Sequence, residues 1–279
     1  MTTSKPIPPE QRAEAWSNSA EGYDVFAAAV TGQFAEDAVR LVHVKPGSRV
    51  LDVAAGTGAF TFAAARRGAE VLATDFSVGM LKKLASKSAV QGLTVVQTAA
   101  MDGQALLVTD DSFDVVASLF GLIFFPDHDR GLRELLRALK PGGQAVVTTW
   151  APPPRGEMLQ LMGRATAKAI PDMPPPETPP HWAALGDVDD LRRRLLSVGF
   201  ARAHAVSVTH LWAFESPKWL VEQLRSIAPP AAELFASITA AQREAFTQAI
   251  VEELRERQGD GPFGVTYEGL IGVGTKAAA

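Results

Sequence analysis

The segment at residues 49–77, RVLDVAAGTGAFTFAAARRGAEVLATDFS, restricts the fold more than any other part of the chain. It combines a β-branched run, a glycine turn, an apolar helical stretch and a second run that ends in Asp75. A strand, a helix and a strand in this order form a βαβ unit with parallel strands. Because Gly56 and Gly58 carry no Cβ atom, a ligand can approach the backbone where the first strand ends. We therefore predict a nucleotide-type ligand here, with Asp75 placed to accept hydrogen bonds from ribose hydroxyls.

The alternation of strands and helices continues to residue 150 and resumes after an interruption. Several of the β-branched runs are apolar on both faces, which is typical of parallel strands covered by helices on both sides. We predict strands over residues 49–54, 70–75, 93–98, 112–118, 144–150, about 201–209 and 269–276. The predicted fold class is α/β, a Rossmann-like seven-stranded mostly parallel sheet with helices on both faces, plus helical cap insertions.

Proline content and helical patterns divide the chain into a core and several additions. Nine of its 19 prolines lie between residues 152 and 180, and about 55 residues of mainly helical pattern separate the sixth strand from the last. The predicted organisation is N-terminal lid helices (1–44), a ligand-binding core (45–150), a proline-rich cap insertion (151–186), a core helix with strand six (187–210), a helical cap insertion (211–262) and the last strand with a tail (263–279).

Composition excludes several classes of protein. The net charge is -4 and the longest basic run is the three arginines at 192–194, so nothing resembles a nucleic-acid footprint. There are no cysteines, which excludes disulfides and thiolate metal sites. The apolar run at 115–125 is far shorter than the roughly 20 residues of a spanning helix, and residues 1–16 lack the apolar core of a secretory signal. We expect a cytoplasmic protein whose partner is a small-molecule acceptor, with neither nucleic acid nor membrane, and a homodimer is compatible with these patterns.

The glycine turn by itself leaves the nucleotide open. The dinucleotide fingerprint G-x-G-x-x-G requires a third glycine at position 61, where this chain has Thr61. A lone G-x-G is a weak signal, so a nicotinamide-dependent oxidoreductase stays an alternative at this point. The chain also has no patterned set of histidines and carboxylates, and we predict no metal site.

Three further stretches follow the glycine turn in a recognisable order. The segments VLDVAAGTG (50–58), TDFSVGML (74–81), MDGQAL (101–106) and LRELLRALKPGG (132–143) together resemble four motifs of the class I S-adenosylmethionine-dependent methyltransferases. The similarity is greatest to the ubiquinone/menaquinone C-methyltransferase type, in which an alanine often stands at the place of Ala54. The motifs cover residues 48–150, and their order and spacing make the resemblance specific.

The resemblance implies a cofactor, S-adenosylmethionine, and a set of contacts to it. Motif residues at the ends of the first, second and fourth strands would hold its methionine, ribose and adenine parts and face its sulfonium. The implied contacts are Asp52 and the backbone of Ala54, Ala55, Gly56, Thr57 and Gly58 to the methionine moiety, Asp75 to the ribose, Phe76, Met80, Met101 and Asp102 to the adenine, and Ser118 and Leu119 to the sulfonium and the acceptor.

Methyl transfer from a sulfonium needs no conspicuous catalytic motif. The reaction is an in-line displacement, and orientation alone can supply effective molarities of about 10⁵ to 10⁸ M. Tyr23, His181 and His210 are the candidates for catalysis, although a structural role is the simpler interpretation of both histidines. His128, in the first turn of a predicted helix, is expected to be solvated. The expected acceptor pocket lies under the cap insertions and is lined by Tyr23, Phe120, Trp182, Trp212 and Trp219.

These patterns predict an enzyme that methylates O, N or C of a small organic acceptor, in specialised-metabolite biosynthesis. A quinone-biosynthesis C-methyltransferase is the alternative within the class. Two alternatives from other classes stay open at this stage, the NAD-dependent oxidoreductase and a non-catalytic protein that binds S-adenosylmethionine. They differ in their ligand and in whether a methylated product forms.

Overall fold

A computed structural model describes residues 7–173 and 181–279 of the chain. Within that range, seven strands form one sheet in the order β3-β2-β1-β4-β5-β7-β6. The strands are β1 (Arg49–Val53), β2 (Glu70–Asp75), β3 (Val96–Ala100), β4 (Phe113–Leu119), β5 (Leu139–Trp150), β6 (Arg202–Phe214) and β7 (Phe263–Thr275). Strand β7 runs antiparallel to both of its neighbours, and the other observed pairs are parallel. The predicted α/β class and the seven-stranded mostly parallel sheet are confirmed.

Ten α-helices flank the sheet in the described residues. They are α1 (Ala13–Ala29), α2 (Thr31–Leu41), α3 (Ala59–Ala65), α4 (Val78–Val90), α5 (His128–Ala138), α6 (Glu157–Ala169), α7 (Val188–Ser197), α8 (Pro217–Leu224), α9 (Pro229–Ser237) and α10 (Ala240–Gln258). Helices α8 and α10 begin directly after Ser216 and Thr239, whose side chains cap them. Ser216 accepts a hydrogen bond from the Trp219 amide, and Thr239 forms a capping box with Gln242.

The strand boundaries predicted at both edges of the sheet are partly wrong. Strand β3 begins at Val96 rather than residue 93, because the chain first turns through Gly92, whose φ is +66°. Strand β6 continues to Phe214 and β7 already begins at Phe263, because the two pair along their whole length. Residues 211–214 therefore belong to a strand, although we predict them to open the helical cap insertion. Aromatic side chains near the far end, including Phe214 stacked on Phe263, favour the longer ladder.

Two apolar cores cover the two faces of the sheet. One contains α2 and α3 packed on β1, β2 and β4, with Phe60 and Val39 almost fully buried. The other and larger core lies under α5 and α7, and it continues without a break into the cap through Leu161 of α6, Leu220 of α8 and Ile250 of α10. The cap is therefore part of the main hydrophobic core rather than a separately packed unit. None of the helices described in residues 7–173 and 181–279 has the length and apolar content needed to cross a membrane.

The N-terminal helix α1 closes over the carboxyl ends of the strands. It packs on α4, where the Ser17 and Ser77 hydroxyls lie 2.9 Å apart and the Gly79 amide donates to Ser17 Oγ at 3.2 Å. A Cβ atom on Gly79 would come within 2.6 Å of the Ser17 backbone, so glycine is required for this approach. Lys87 of α4 adds an ion pair with Asp24 at 2.5 Å.

Candidate functional site

A cleft opens at the carboxyl ends of β1, β2 and β4, where the strand order reverses. In doubly wound α/β folds this reversal is where ligands bind. The cleft has a volume of about 190 Å³. Eight of the thirteen residues predicted to contact the cofactor line it, namely Ala54, Gly56, Asp75, Phe76, Met80, Met101, Asp102 and Leu119.

The two glycines of the turn are required for different reasons. Gly56 has φ +54° and its amide donates to Asp75 Oδ2 at 2.9 Å, so it shapes the floor of the cleft. Gly58 has φ +99° and begins α3, and a Cβ there would lie 2.7 Å from the Phe62 ring. Gly58 does not line the cleft. Its part is to let α3 pack closely beside the turn.

Two buried carboxylates stand at the base of the site. Asp52 and Asp75 are 1% and 5% exposed, and neither has an ion-pair partner among the described residues. Burial raises the pKa of Asp52 to about 7 and the pKa of Asp75 to about 6, although hydrogen bonds oppose the shift in both. The Asp75 carboxylate also accepts from the Ser77 amide at 2.8 Å. Two acids held without a cation favour a positively charged or hydrogen-bond-donating ligand.

Thr61, which breaks the dinucleotide fingerprint, has a definite partner. Its hydroxyl donates to Asp52 Oδ2 at 2.6 Å and fixes the orientation of that carboxylate. Asp52 lines a small recess beside the cleft together with Ala54, Ala55, Thr57 and Leu119, all of them predicted contacts. The residue that excludes the dinucleotide pattern thus helps to build the floor of the site.

The end of β4 turns sharply into the cleft. Ser118 is predicted to face the sulfonium, but it is fully buried, and its hydroxyl accepts from the Leu122 amide at 3.1 Å. It lies outside the cleft and outside the recess and caps the turn that follows β4. Phe120 has φ +55°, an unusual conformation for a residue with a side chain, and this places it in the wall of the cleft.

A second cavity of about 320 Å³ adjoins the cleft, and we call it the acceptor cavity. It shares Trp16, Tyr23, Phe120 and Phe124 with the cleft, so these aromatic rings form the boundary between the two spaces. The remaining wall comes from α6, the end of α8, α9 and the first half of β7. Its side chains there are mostly apolar, among them Trp150, Met158, Leu159, Met162, Leu224, Ile227, Pro230 and Leu234.

Tyr23 occupies the boundary between the two spaces. It lies on α1 with its ring over Gly56, which is close enough that a Cβ on that glycine would be 3.4 Å from the ring. Burial and the nearby carboxylate of Asp75 raise the pKa of the Tyr23 hydroxyl well above its ordinary range, and Thr31 is a hydrogen-bond partner. Tyr23 is therefore protonated at neutral pH and can act as a hydrogen-bond donor but not as a ready base.

Neither of the two histidines predicted as candidates for catalysis is among the lining residues of either cavity, and each bonds to another protein group. His210 lies on β6, its Nε2 is 2.6 Å from Asp37 Oδ2, and its ring contacts Phe34 edge-on. His181 lies in a short 3₁₀ helix, and its Nε2 is 2.7 Å from the Phe125 carbonyl oxygen.

The prediction that His128 is solvated is wrong. It is 2% exposed, and its ring stacks on that of His181 with the centroids 4.2 Å apart. Burial is the main reason that the pKa of His128 falls to about 4. The helix start at Asp127 suggested an exposed first turn, but the turn is covered by the 3₁₀ helix His181–Ala183, which no local pattern places there.

Two of the three predicted pocket tryptophans, Trp212 and Trp219, do not line the acceptor cavity. Trp212 is buried on β6 and packs edge-on against Trp219, so both belong to the aromatic core of the cap. The side chain of Trp182 lies outside the described part of the chain. The sequence missed Trp16, Phe124 and Glu268, which do line the cavity; the apolar spacing of Trp16 and Tyr23 along α1 was the one available signal.

Comparison with known proteins agrees with this geometry. Residues 17–162, just over half of the chain, match a model of the ubiE/COQ5 methyltransferase family. A demethylmenaquinone methyltransferase of Clavibacter sepedonicus is 34% identical over 186 residues, covering 59% of this chain and 75% of that protein. An uncharacterized protein of Mycobacterium tuberculosis is 40% identical over 128 residues, 46% of each chain, so the match spans about half of that relative.

A solved structure extends the likeness beyond the matched half. Phosphoethanolamine N-methyltransferase 2 of Haemonchus contortus, in complex with S-adenosyl-L-methionine, has a TM-score of 0.59 and 17% identity. The match covers 96% of this chain and 59% of that one, and at this identity it concerns the fold alone. The family match confirms the resemblance predicted from the four motifs: the chain belongs to the ubiE/COQ5 methyltransferase family.

Proposed function

We propose that the protein transfers the methyl group of S-adenosylmethionine to a small, largely apolar acceptor bound in the acceptor cavity. The observation that supports this is the shared aromatic boundary. A cleft with two buried acids and an apolar cavity meet at Trp16, Tyr23, Phe120 and Phe124. A donor in the cleft and an acceptor in the cavity would therefore face each other across these rings, without bulk water between them.

The residues of the cleft fit the cofactor. S-adenosylmethionine supplies an activated methyl group on a sulfonium when bound. The buried carboxylates of Asp52 and Asp75 match its ammonium group and its ribose hydroxyls. Met80 and Phe76, with Asp102 beyond them, give an apolar slot with a polar end, which suits an adenine ring. Gly56 keeps the floor free of side-chain atoms where the ligand would meet the backbone.

The contribution of the chain to the reaction is positioning and exclusion of water. An in-line displacement requires the attacking atom near the methyl carbon, and a fixed approach can account for much of the rate enhancement. The Tyr23 hydroxyl stays protonated and can donate a hydrogen bond to an acceptor oxygen at the boundary. The described residues of the acceptor cavity include no histidine, and the carboxylate of Glu268 is ion-paired with Arg155. We therefore assign no general base to the wall and expect acceptors that ionise readily or attack through carbon.

The acceptor belongs to one of two groups of compounds. The added cap helices, α6 and α8 to α10, support a dedicated acceptor of specialised metabolism. The 34% identity to the Clavibacter sepedonicus demethylmenaquinone methyltransferase supports the second candidate, C-methylation of a quinol. A cytoplasmic location and homodimer formation stay predictions.

Transfer of a tritiated methyl group from S-adenosylmethionine to an acceptor panel tests the proposal. The panel contains apolar phenols, naphthols and reduced naphthoquinones beside polar amines and carboxylic acids. We expect labelled product from the apolar ring compounds only. Tight binding of S-adenosylhomocysteine without product from any acceptor would instead support a non-catalytic binding protein. Protection against heat by NADH but not by S-adenosylhomocysteine would support the oxidoreductase.

A further inference from the structure

Two lysines of α4 form ion pairs with the N-terminal helix α1, in different surroundings. The Lys83 ammonium lies 2.6 Å from Glu21, and its other ion-pair contact in the described residues is Asp24 at 3.9 Å. The Lys87 ammonium, one turn further along α4, lies 2.5 Å from Asp24. Both lysine side chains are 27% exposed, but that of Glu21 is 84% exposed and that of Asp24 only 18%. The first pair is therefore a surface ion pair, and the second is partly buried.

The Lys87 ammonium also reaches the glycine turn. It donates to the Thr57 carbonyl oxygen at 3.0 Å. It lies 5.3 Å from the centroid of the Phe62 ring, which is the ring that a Cβ atom on Gly58 would meet. An ammonium has three N–H donors and no acceptor, so it can bind a carboxylate and a carbonyl oxygen together. Lys87 therefore connects α1 directly to the turn that shapes the floor of the cleft.

The helix that Lys87 holds forms part of the cleft wall. Trp16 and Tyr23 of α1 line the cleft, as do Glu10 and Gln11 just before this helix. A ligand in the cleft is therefore enclosed only while α1 lies against α4. A contact that keeps α1 in this place raises the population of the enclosed state, and a ligand that requires the enclosed state binds more tightly.

We propose that Lys87 is a positioning residue for the methyl donor. By binding Asp24 and the Thr57 carbonyl oxygen together, it keeps α1 closed over the cleft and fixes the backbone of the glycine turn below. Lys87 is not among the described lining residues of the cleft or the recess, so it acts through these two groups and not on the ligand itself. This inference rests on the proposed function only in placing S-adenosylmethionine in the cleft.

Binding of S-adenosylhomocysteine to the full-length protein tests this role by calorimetry. Lys87→Met removes the charge but keeps an unbranched apolar chain beside the Phe62 ring. We expect the dissociation constant to rise about tenfold, mainly through faster dissociation in surface plasmon resonance. The matched control is Lys83→Met, which removes an equally exposed charge from the same helix. Its dissociation constant should rise by less than about twofold, because a surface ion pair contributes little.

Three further variants separate the two bonds of Lys87. Asp24→Asn removes the ion pair and leaves the bond to the Thr57 carbonyl oxygen, so the dissociation constant should rise about threefold. Asp24→Asn combined with Lys87→Met should bind no more weakly than Lys87→Met alone, since both changes break one connection. Lys87→Arg keeps the charge and should recover part of the lost affinity, which a purely steric role of the side chain would not explain.

Hydrogen exchange in the ligand-free protein tests the connection without any cofactor. The backbone amides of residues 55–58 should exchange several-fold faster in Lys87→Met than in the wild type, because the turn has lost its bond to α4. In Lys83→Met the exchange of these amides should equal that of the wild type.

Two results would overturn the proposal. One is an equal loss of S-adenosylhomocysteine affinity in Lys87→Met and Lys83→Met, which would mean that both lysines act only by docking α1. The other is unchanged affinity with unchanged exchange of the turn amides in Lys87→Met. If Lys87→Met does not fold, an unchanged dissociation constant in Asp24→Asn overturns the proposal. If the wild type binds no S-adenosylhomocysteine, the proposed function fails, and hydrogen exchange still decides whether Lys87 holds the turn.

Discussion

The cleft and the acceptor cavity are neighbours that share four aromatic rings, yet the chain builds them in different ways. The cleft comes mainly from one stretch between β1 and the turn after β4, and its chemistry consists of backbone turns and buried acids. The acceptor cavity collects side chains from α1, α6, the end of α8, α9 and β7, which are far apart in sequence, and its surface is almost wholly apolar. The cleft is therefore defined by local backbone geometry, and the acceptor cavity by the packing of elements that are distant in sequence.

The largest difference between the cleft and the acceptor cavity is expected when a bulky side chain fills the acceptor cavity. Ala231→Trp places an indole in the space between α9 and α6. We expect kcat/KM for any acceptor of the panel to fall about 100-fold or more, because overpacking and lost volume act on the acceptor alone. The dissociation constant of S-adenosylhomocysteine by calorimetry should stay within about twofold.

The matched control for that variant is Leu107→Trp, which adds a comparable bulk at a side chain that is 83% exposed. It should leave both kcat/KM and S-adenosylhomocysteine binding unchanged. Equal losses of cofactor binding and acceptor turnover in Ala231→Trp would show that the two spaces act as one site.

The reverse experiment removes a carboxylate from the cleft. Asp75→Ala should weaken S-adenosylhomocysteine binding by about 1–3 kcal/mol, through the loss of a charge-assisted hydrogen bond to ribose. The dissociation constant of N-phenyl-1-naphthylamine, a neutral fluorescent probe that we expect to bind in the acceptor cavity, should not change. Asp102→Ala removes an exposed carboxylate at the far end of the cleft, and its smaller effect provides the comparison. An unchanged dissociation constant for Asp75→Ala would exclude the ribose contact.

The sequence predicted the first site far better than the second, and the reason is physical. The cleft requires a strand end, a turn with positive φ at Gly56 and an acid at the end of the next strand. Because these requirements are local, the sequence shows them as a local pattern. Glu268 and Trp16 reach the acceptor cavity only because β7 continues past the end of β5 and α1 folds back over the ends of the strands. From the sequence, Trp212 and Trp16 are equally plausible as pocket residues. The position of Trp212 on β6, however, places its side chain in the core.

The sequence underestimates the length of β6 for a related reason. Residues 209–214, THLWAF, alternate only weakly between apolar and polar side chains, so the sequence predicts a strand that ends near residue 209. Pairing with β7, including Trp212 near Tyr267 with ring centroids 6.1 Å apart, extends it. A burial pattern produced by a distant strand cannot be seen in either segment alone.

The smallest expected effect is a change in the free energy of unfolding with pH, which arises from Asp52 in the recess beside the cleft. Burial raises the pKa of Asp52 from its ordinary 3.8 to about 7, so the folded protein holds a proton that the unfolded chain has released. Between pH 6 and pH 8 the unfolding free energy of the ligand-free protein should therefore fall as the pH rises, by about 1 kcal/mol. In Asp52→Asn this contribution is absent, and the melting temperature should vary less over the same range.

The pH experiment has its own control. The pKa of His128 is shifted in the opposite direction, to about 4, so its contribution to stability is lost as the pH falls below about 6.5. That contribution is common to the wild type and to Asp52→Asn and cancels in their difference. Identical pH profiles for the two proteins would mean that Asp52 is ionised in the folded, ligand-free state at all of these pH values.

The continuous ladder between β6 and β7 has a consequence for how the protein opens. It runs from Arg202 opposite Thr275 to Phe214 opposite Phe263, so the wall that carries Glu268 belongs to the same hydrogen-bonded unit as the centre of the sheet. Amide hydrogens of that wall should exchange with solvent as slowly as those of the core, whereas α8 and α9, joined to it by side-chain packing alone, open at lower free energy. We therefore expect the β7 wall of the acceptor cavity to stay closed while the wall of α8 and α9 opens, which would leave the cleft undisturbed.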